Sequence, residues 1–391
     1  MKYAVPIVLA AALYAVQTGV TQPSGALWAE GPVWVQTANG TVSASAASRL
    51  RIYASGNVIL RGDSGDRVVY TLNRRMRARS EEEARELLRG FEVKTTTRGD
   101  WIFLTLKSPD WKTINADVSV TVPRSMREAL IETSAGNVQA YDFDGRVEAQ
   151  TRGGQVQLDR IKEGAVVRAG GGNIVIGRVQ GPVKCFSGGG SMQVESVGGE
   201  SWFETVGGEI LVKEVLGPIH VTTGAGNIRI GRSTVVFART AGGVIEVDEA
   251  TGNVSAQNSG GAIQVNSANG VHCESNSGAI RLRNVDGALQ AATAAGNIIA
   301  QLMSGKPILD SFLSTGSGDI TVFIPSNLAM TVVARNESAG MGKIVSDFPQ
   351  IRPRQDRGLS TPLVAEGAIN GGGPVLRLLA KDGAIYLRRE K

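Results

Sequence analysis

The sequence predicts an all-β fold: a parallel β-solenoid (β-helix) of about eleven coils of roughly 18 residues, right-handed by the crossover rule, with a β-rich N-terminal cap containing one short helix. Three observations carry this expectation. Glycines recur at Gly136, Gly154, Gly172, Gly190, Gly208, Gly226, Gly243, Gly261, Gly278, Gly296 and Gly318, with gaps of 17 or 18 residues and a last gap of 22. Two and four residues after these glycines stand aliphatic pairs such as Ile174 and Ile176, Ile210 and Val212, Ile228 and Ile230, and Ile263 and Val265, separated by mostly polar residues. That period-2 alternation is a strand with one buried face. Finally, 50 glycines but only 5% aromatic residues in 391 suit a thin aliphatic core better than one built on large rings. A unit this short cannot bury its own apolar face, so it must stack on its neighbours.

Each segment follows in order. Residues 1–26 read as a secretory leader: Lys2, an apolar run from Tyr3 to Val16, then the small residues Ser24-Gly25-Ala26 at the cleavage position. The run of 14 residues falls short of the ~20 a membrane span needs. No stable span is therefore expected after leader removal, and the mature chain is placed outside the cytoplasm, in periplasm, at the surface or secreted. An uncleaved anchor or a buried strand is the competing reading. No cysteine lies here, which excludes an acylated-cysteine lipoprotein.

Residues 27–133 lack the period and read as a β-rich cap that closes one solenoid end, with strands near 57–60, 68–72, 101–106 and 118–122. Ser80 and Glu83 form a capping box that predicts a helix ending near Arg89, before Gly90. Residues 134–324 are the coils. Counting back from each glycine gives a second strand, with columns such as Val183, Cys185, Ser187 and Ile219, Val221, Thr223. The last column is small and mostly hydroxylated, and is expected to bond the next coil's backbone at the glycine turn. Of residues 325–391, the stretch 325–374 reads as an irregular surface segment, with Pro349, Pro353, Pro362 and a basic run at Arg352, Arg354 and Arg357. Over 374–389, two strands around the tight turn Lys381-Asp382-Gly383, either a final coil or the C-terminal cap, then close the chain.

The Ser/Thr-x-Gly-Gly-x-Ile-x-Val repeats, the Val122-Pro123 strand end and the segment Gly367-Ala368-Ile369-Asn370-Gly371-Gly372-Gly373 resemble the bacterial putative-adhesin β-strand-repeat family. That family is a domain of unknown function related in pattern to the heads of autotransporter adhesins. The resemblance spans roughly residues 45–390. It implies an adhesin-like role and offers no catalytic residues to carry over.

The chemistry-bearing residues are few. Net charge is +5, from 41 basic and 36 acidic residues dispersed along the chain, whereas a nucleic-acid binder concentrates its basic residues on one face. The two cysteines, Cys185 and Cys273, lie five coils apart, roughly 24 Å at ~4.8 Å per coil, too far to bridge. Neither they nor His220 and His272, three coils apart, make a metal site, and no cofactor is expected. The outward carboxylates Asp159, Glu195 and Asp248 share a mixed-sign column with Lys213, Asn266 and Arg283, as a solvated face does. Arg98-Gly99-Asp100 spells the tripeptide that integrins read, at a place where a hairpin turn is expected.

One outward column does stand out. Trp202, His220 and Phe237 fall on consecutive coils, with Phe186 and Arg239 at nearby outward positions. Either the 325–374 segment or the N-terminal cap covers these residues, or they form a binding strip, a flat ladder for a glycan or peptide. The preferred function is a non-enzymatic structural or interaction protein, adhesin-like, whose partner is a protein or glycan of the envelope or extracellular matrix. A carbohydrate-active enzyme on a β-helix, or an envelope-stress or signalling accessory, are the alternatives.

Overall fold

The computed structural model describes residues 17–20, 25–45, 47–107, 114–303, 305, 308–338, 342–355 and 361–390. Most of the segment expected as a leader, 1–16 and 21–24, lies outside them. The chain divides into two compact units, Met1–Gln150 and Thr151–Lys391.

In the second unit the eighteen-residue period becomes two stacks of parallel strands. One stack runs through Val156–Ile161, Ile174–Val179, Met192–Val197, Ile210–Val215, Ile228–Ser233, Ile245–Ala250 and Ile263–Val265. Its register places Ile174, Met192, Ile210, Ile228, Ile245, Ile263 and Ile280 in one column, and all of them are buried. The other stack runs through Gly164–Ala169, Val183–Ser187, Ser201–Thr205, Ile219–Thr223, Val236–Thr240, Val254–Asn258 and Ala268–Ser275. The fold class is thus an all-β parallel solenoid. Hydrogen bonds run between coils, so each strand's backbone groups are satisfied by its two neighbours. Cys185 and Cys273 lie in one interior column and are free. Burial among aliphatic residues raises both thiols, Cys273 to about 12.

The glycine turns are required by close approach. A Cβ on Gly208 would lie 2.2 Å from the Gly190 carbonyl oxygen, and one on Gly226 would lie 2.0 Å from that of Gly208. The hydroxyl column locks the same turns. Thr223 Oγ1 donates to the Gly208 carbonyl at 2.9 Å and accepts from the Gly226 N–H at 3.2 Å, and Thr205 and Thr240 repeat the pattern. The column therefore binds its own turn and the preceding coil's turn, whereas the sequence had pointed to the next coil.

The C-terminal end departs from the sequence reading. Residues 325–374 are not irregular: they hold the strands Met330–Asn336, Lys343–Ser346, Arg352–Gln355 and Leu363–Ile369. The last two strands, expected as a final coil or a C-terminal cap, do form a coil, each pairing in parallel with other coils. Val375–Asp382 lies between Ser311–Ser317 and Met330–Asn336, parallel to both. Ala384–Glu390 lies likewise between Ile320–Pro325 and Lys343–Ser346. The final coil in sequence is therefore spliced in ahead of the one before it, which breaks the period. Leu363–Ile369 then pairs antiparallel with Met330–Asn336, and the edge strand Arg352–Gln355, carrying Pro353 and two arginines, blunts that side against further pairing.

The first unit uses the same device. Arg49–Ala54 lies between Trp101–Lys107 and Glu128–Thr133, and Val58–Asp63 between Ile114–Pro123 and Val138–Phe143, all parallel. These layers are coils out of sequence order, joined by an arm that contains Arg67–Arg77, the helix and Glu92–Arg98. The helix spans Glu81–Arg89, with the Ser80 side chain accepting from the Glu83 N–H and Gly90 at its end. Gln17–Val20, within the segment expected as a leader, pairs antiparallel with Glu92–Arg98. Among the described residues no helix is long and apolar enough to cross a membrane.

Candidate functional site

The site is built on the outer face of the second strand stack of the Thr151–Lys391 unit. Alternation turns Val183, Cys185 and Ser187 inward and leaves Lys184 and Phe186 outward, and every later coil repeats this. Two outward columns result. The parallel register aligns Lys184, Trp202, His220, Phe237, Ser255, His272 and Gln290 in the first. It aligns Arg168, Phe186, Glu204, Thr222, Arg239, Gln257 and Glu274 in the second.

In the first column the three rings lie face to face. Trp202 and His220 have centroids 5.1 Å apart and planes within 4°, and His220 and Phe237 are 4.7 Å apart and within 6°. The spacing is that of the strands themselves, ~4.8 Å, so the backbone holds the stack at contact distance. The Lys184 ammonium caps its first end, 4.3 Å from the Trp202 ring, and His220 Nε2 lies 3.4 Å from Glu200 Oε1. The stack is open to solvent: Phe237 is 45% exposed, so the 325–374 segment does not bury it.

This geometry corrects the ladder expected from sequence. The ring faces are spent on one another and on Lys184, save the Phe237 face toward Ser255, so a partner meets that one face and otherwise the ring edges. The five predicted residues also separate. Trp202, His220 and Phe237 come together, but Phe186 and Arg239 sit three coils apart in the second column. Phe186 lies beneath Arg168, whose guanidinium carbon is 5.9 Å from its ring.

Arg239 belongs to a polar relay that sequence reasoning missed. It donates to Gln257 Oε1; Gln257 Nε2 donates to Glu274 Oε2 at 3.1 Å; Glu274 Oε1 lies 3.1 Å from His272 Nε2; and His272 Nδ1 lies 3.0 Å from Gln290 Oε1. A groove of about 450 Å³ opens along it, lined by Thr222, Arg239, Gln257, Asn258, Glu274 and Asn276 among others. The available signal was the second outward column, two residues after the first, which runs polar on five successive coils from Glu204 to Glu274.

Elsewhere on this unit charges are paired off between coils. Glu195 bonds Lys213 and holds its ammonium above the ordinary value. Asp248 accepts from Asn266 Nδ2 at 3.0 Å, Glu246 from Arg229 at 2.8 Å, and Glu249 from Arg232 at 3.1 Å. Among the described residues no three His, Cys, Asp or Glu side chains are placed to hold a metal ion. In the first unit, Arg98-Gly99-Asp100 forms the expected turn, with Gly99 at φ +62°. The Asp100 carboxylate is already engaged by Arg49 Nε at 3.3 Å and Ser48 Oγ at 3.4 Å, so the acidic group an integrin reads is tied to its own chain.

The fold and this repeat define a class, the β-solenoids with glycine-turned parallel coils. The chain belongs to the family Toastrack DUF4097, whose model matches residues 47–356. Among solved structures it is similar to a putative cell adhesion protein from Clostridium sporogenes, at 9% identity and a TM-score of 0.21, covering 91% of this chain and 100% of that one. It is also similar to a putative adhesin from Bacteroides fragilis, at 12% identity and 0.26, covering 91% and 97%. A putative lipid binding protein from Parabacteroides distasonis matches at 12% identity and 0.28, covering 73% and 96%. No curated protein matches.

Proposed function

We propose that this chain is an exported, adhesin-like interaction protein. It binds a protein or glycan of the envelope or extracellular matrix through the outer face that carries Trp202, His220 and Phe237, and catalyses no reaction. The observation that carries the reading is the exposed ring stack beside the Arg239–Gln257–Glu274 groove. Rings standing 45% exposed at Phe237 lose nothing by being covered and contribute to binding when they are, whereas a purely structural column needs no rings on its outer side. The inter-coil pairing of Glu195, Glu246, Asp248 and Glu249 supports the non-enzymatic part, because acid–base catalysis needs carboxylates free to meet a substrate.

The test is a screen of the mature chain on an array of glycans and matrix proteins, with the double variant Trp202→Ala, Phe237→Ala beside it. The variant is expected to fold with an unchanged urea midpoint and to lose capture at least tenfold. Capture that survives the double change sinks the assignment of the face, and cleaved glycan in the supernatant sinks the non-enzymatic reading.

A further inference from the structure

The ring stack ends differently at its two sides. Lys184 covers the outer face of Trp202. On the other side the residue in register with Phe237 is Ser255, whose two side-chain heavy atoms cannot cover a phenyl ring. The next side chain in the column, His272, stands two coil spacings from Phe237, ~9.6 Å. It does not swing in to fill the space, since Glu274 and Gln290 engage its two ring nitrogens. The column therefore lacks one ring-thick member above Ser255. Two residues on from Phe237, Ser255 and His272, the second column sets Arg239, Gln257 and Glu274 along the flank of that gap, and the groove they line runs on from there toward Asn258 and Asn276.

We propose that this gap seats one pyranose ring of a neutral saccharide, its apolar face on the free face of Phe237 and its hydroxyls along Arg239, Gln257 and Glu274. The proposal rests on the preceding reading that this face binds a partner, and adds the chemical class and the position. The choice of ligand follows from what the gap offers. One wall is a bare aromatic face, which favours a flat array of C–H groups. The flank holds a guanidinium, an amide and a carboxylate, planar groups that supply both donors and acceptors. A purely apolar ligand would strip water from this relay without replacing its hydrogen bonds. An anion would face Glu274 as well as Arg239 and gain no net attraction. Vicinal hydroxyls both donate and accept, so a neutral sugar satisfies wall and flank together.

Calorimetric titration of the full chain with neutral hexasaccharides (cello-, malto-, manno- and chito-oligomers) and with hexagalacturonate tests this. At least one neutral hexasaccharide is expected to bind. Phe237→Ala should weaken it about tenfold, which is about 1.4 kcal/mol. Ser255→Trp should abolish binding while holding or raising the urea midpoint, because the new ring completes the stack in the space the sugar would take. Binding to no neutral sugar, binding only to hexagalacturonate, or binding that persists in Ser255→Trp overturns the proposal. If array capture still falls in the Trp202→Ala, Phe237→Ala variant while no neutral sugar binds, the face keeps its role and the saccharide assignment alone is lost. If capture is indifferent to both changes, the two readings fail together.

Discussion

Replacing Thr223 by valine isolates the contact that locks one coil to the next. The side chain is 2% exposed, and its hydroxyl makes two bonds: to the Gly208 carbonyl at 2.9 Å and from the Gly226 N–H at 3.2 Å. Valine keeps the shape and the β-branch, so packing in the narrow core is preserved and only the hydroxyl is lost. Each orphaned backbone group costs about 1–3 kcal/mol when water cannot replace its partner. Gly208 is buried and Gly226 half-buried, so the expected sum lies near the lower end, about 2–3 kcal/mol. With a urea m-value of about 2–3 kcal/mol/M for a chain this size, the midpoint should fall by about 1 M. The neighbouring Thr222→Val, on the exposed face, should move it by less than the ~0.5 kcal/mol typical of surface changes. Because repeat arrays unfold in parts, native-state hydrogen exchange at the Gly226 amide is the sharper readout, and it should accelerate at least thirtyfold in Thr223→Val. A Thr223→Val protein with the wild-type midpoint and unchanged Gly226 exchange would refute the lock.

Other expectations follow from the same geometry. Gly226→Ala should destabilise strongly, because its Cβ meets the Gly208 carbonyl oxygen at 2.0 Å and backbone cannot yield, whereas Gly153→Ala has open space and should be nearly silent in the same urea titration. Cys185 and Cys273 should resist iodoacetamide in the native protein and react only once urea unfolds it, as mass spectrometry reads; burial denies access and disfavours the thiolate. The Arg389 backbone N–H, with Arg388, holds the Asp347 carboxyl below its ordinary value. Its stabilising share is therefore present above the unfolded-state value and is lost as pH falls through the folded one. Asp347→Asn should narrow the difference in midpoint between neutral and acid pH, and an unchanged difference contradicts the contact.

Much of the architecture was legible in the glycine column, because each coil repeats the same demand. A turn with no room for a Cβ must be glycine, and the residue two places on must be aliphatic to reach the core, as Gly226 and Ile228 show. The helix was legible for a local reason: Ser80 and Glu83 act within a single turn. The splices were not. Val375–Asp382 enters between Ser311–Ser317 and Met330–Asn336 through pairing with strands distant in sequence, and alternation does not say which neighbour a strand will choose. Pro349, Pro353 and Pro362 suggested irregularity, yet Pro353 lies within the edge strand Arg352–Gln355 and Pro362 stands just before the strand Leu363–Ile369.

The ring column was legible as a set of outward positions, and its partners were not. That Trp202, His220 and Phe237 share a column follows from counting back from the glycines. That their planes turn toward one another depends on rotamers, which spacing does not encode. The relay from Arg239 to Gln290 was hidden for a second reason. Its residues are ordinary surface types, and only the hydrogen bonds between coils distinguish them from a solvated face.

The claim on which the function rests is that partners dock on the ring-bearing face of the Thr151–Lys391 unit. A hydrogen-exchange footprint of the full chain, with and without the array partner it captures most tightly, tests it directly. Protection concentrated in Ser201–Thr205, Ile219–Thr223, Val236–Thr240 and Val254–Asn258 is the predicted result. Protection that falls instead on Met330–Ile369, or within Arg49–Phe143, with these four strands unchanged, would contradict it.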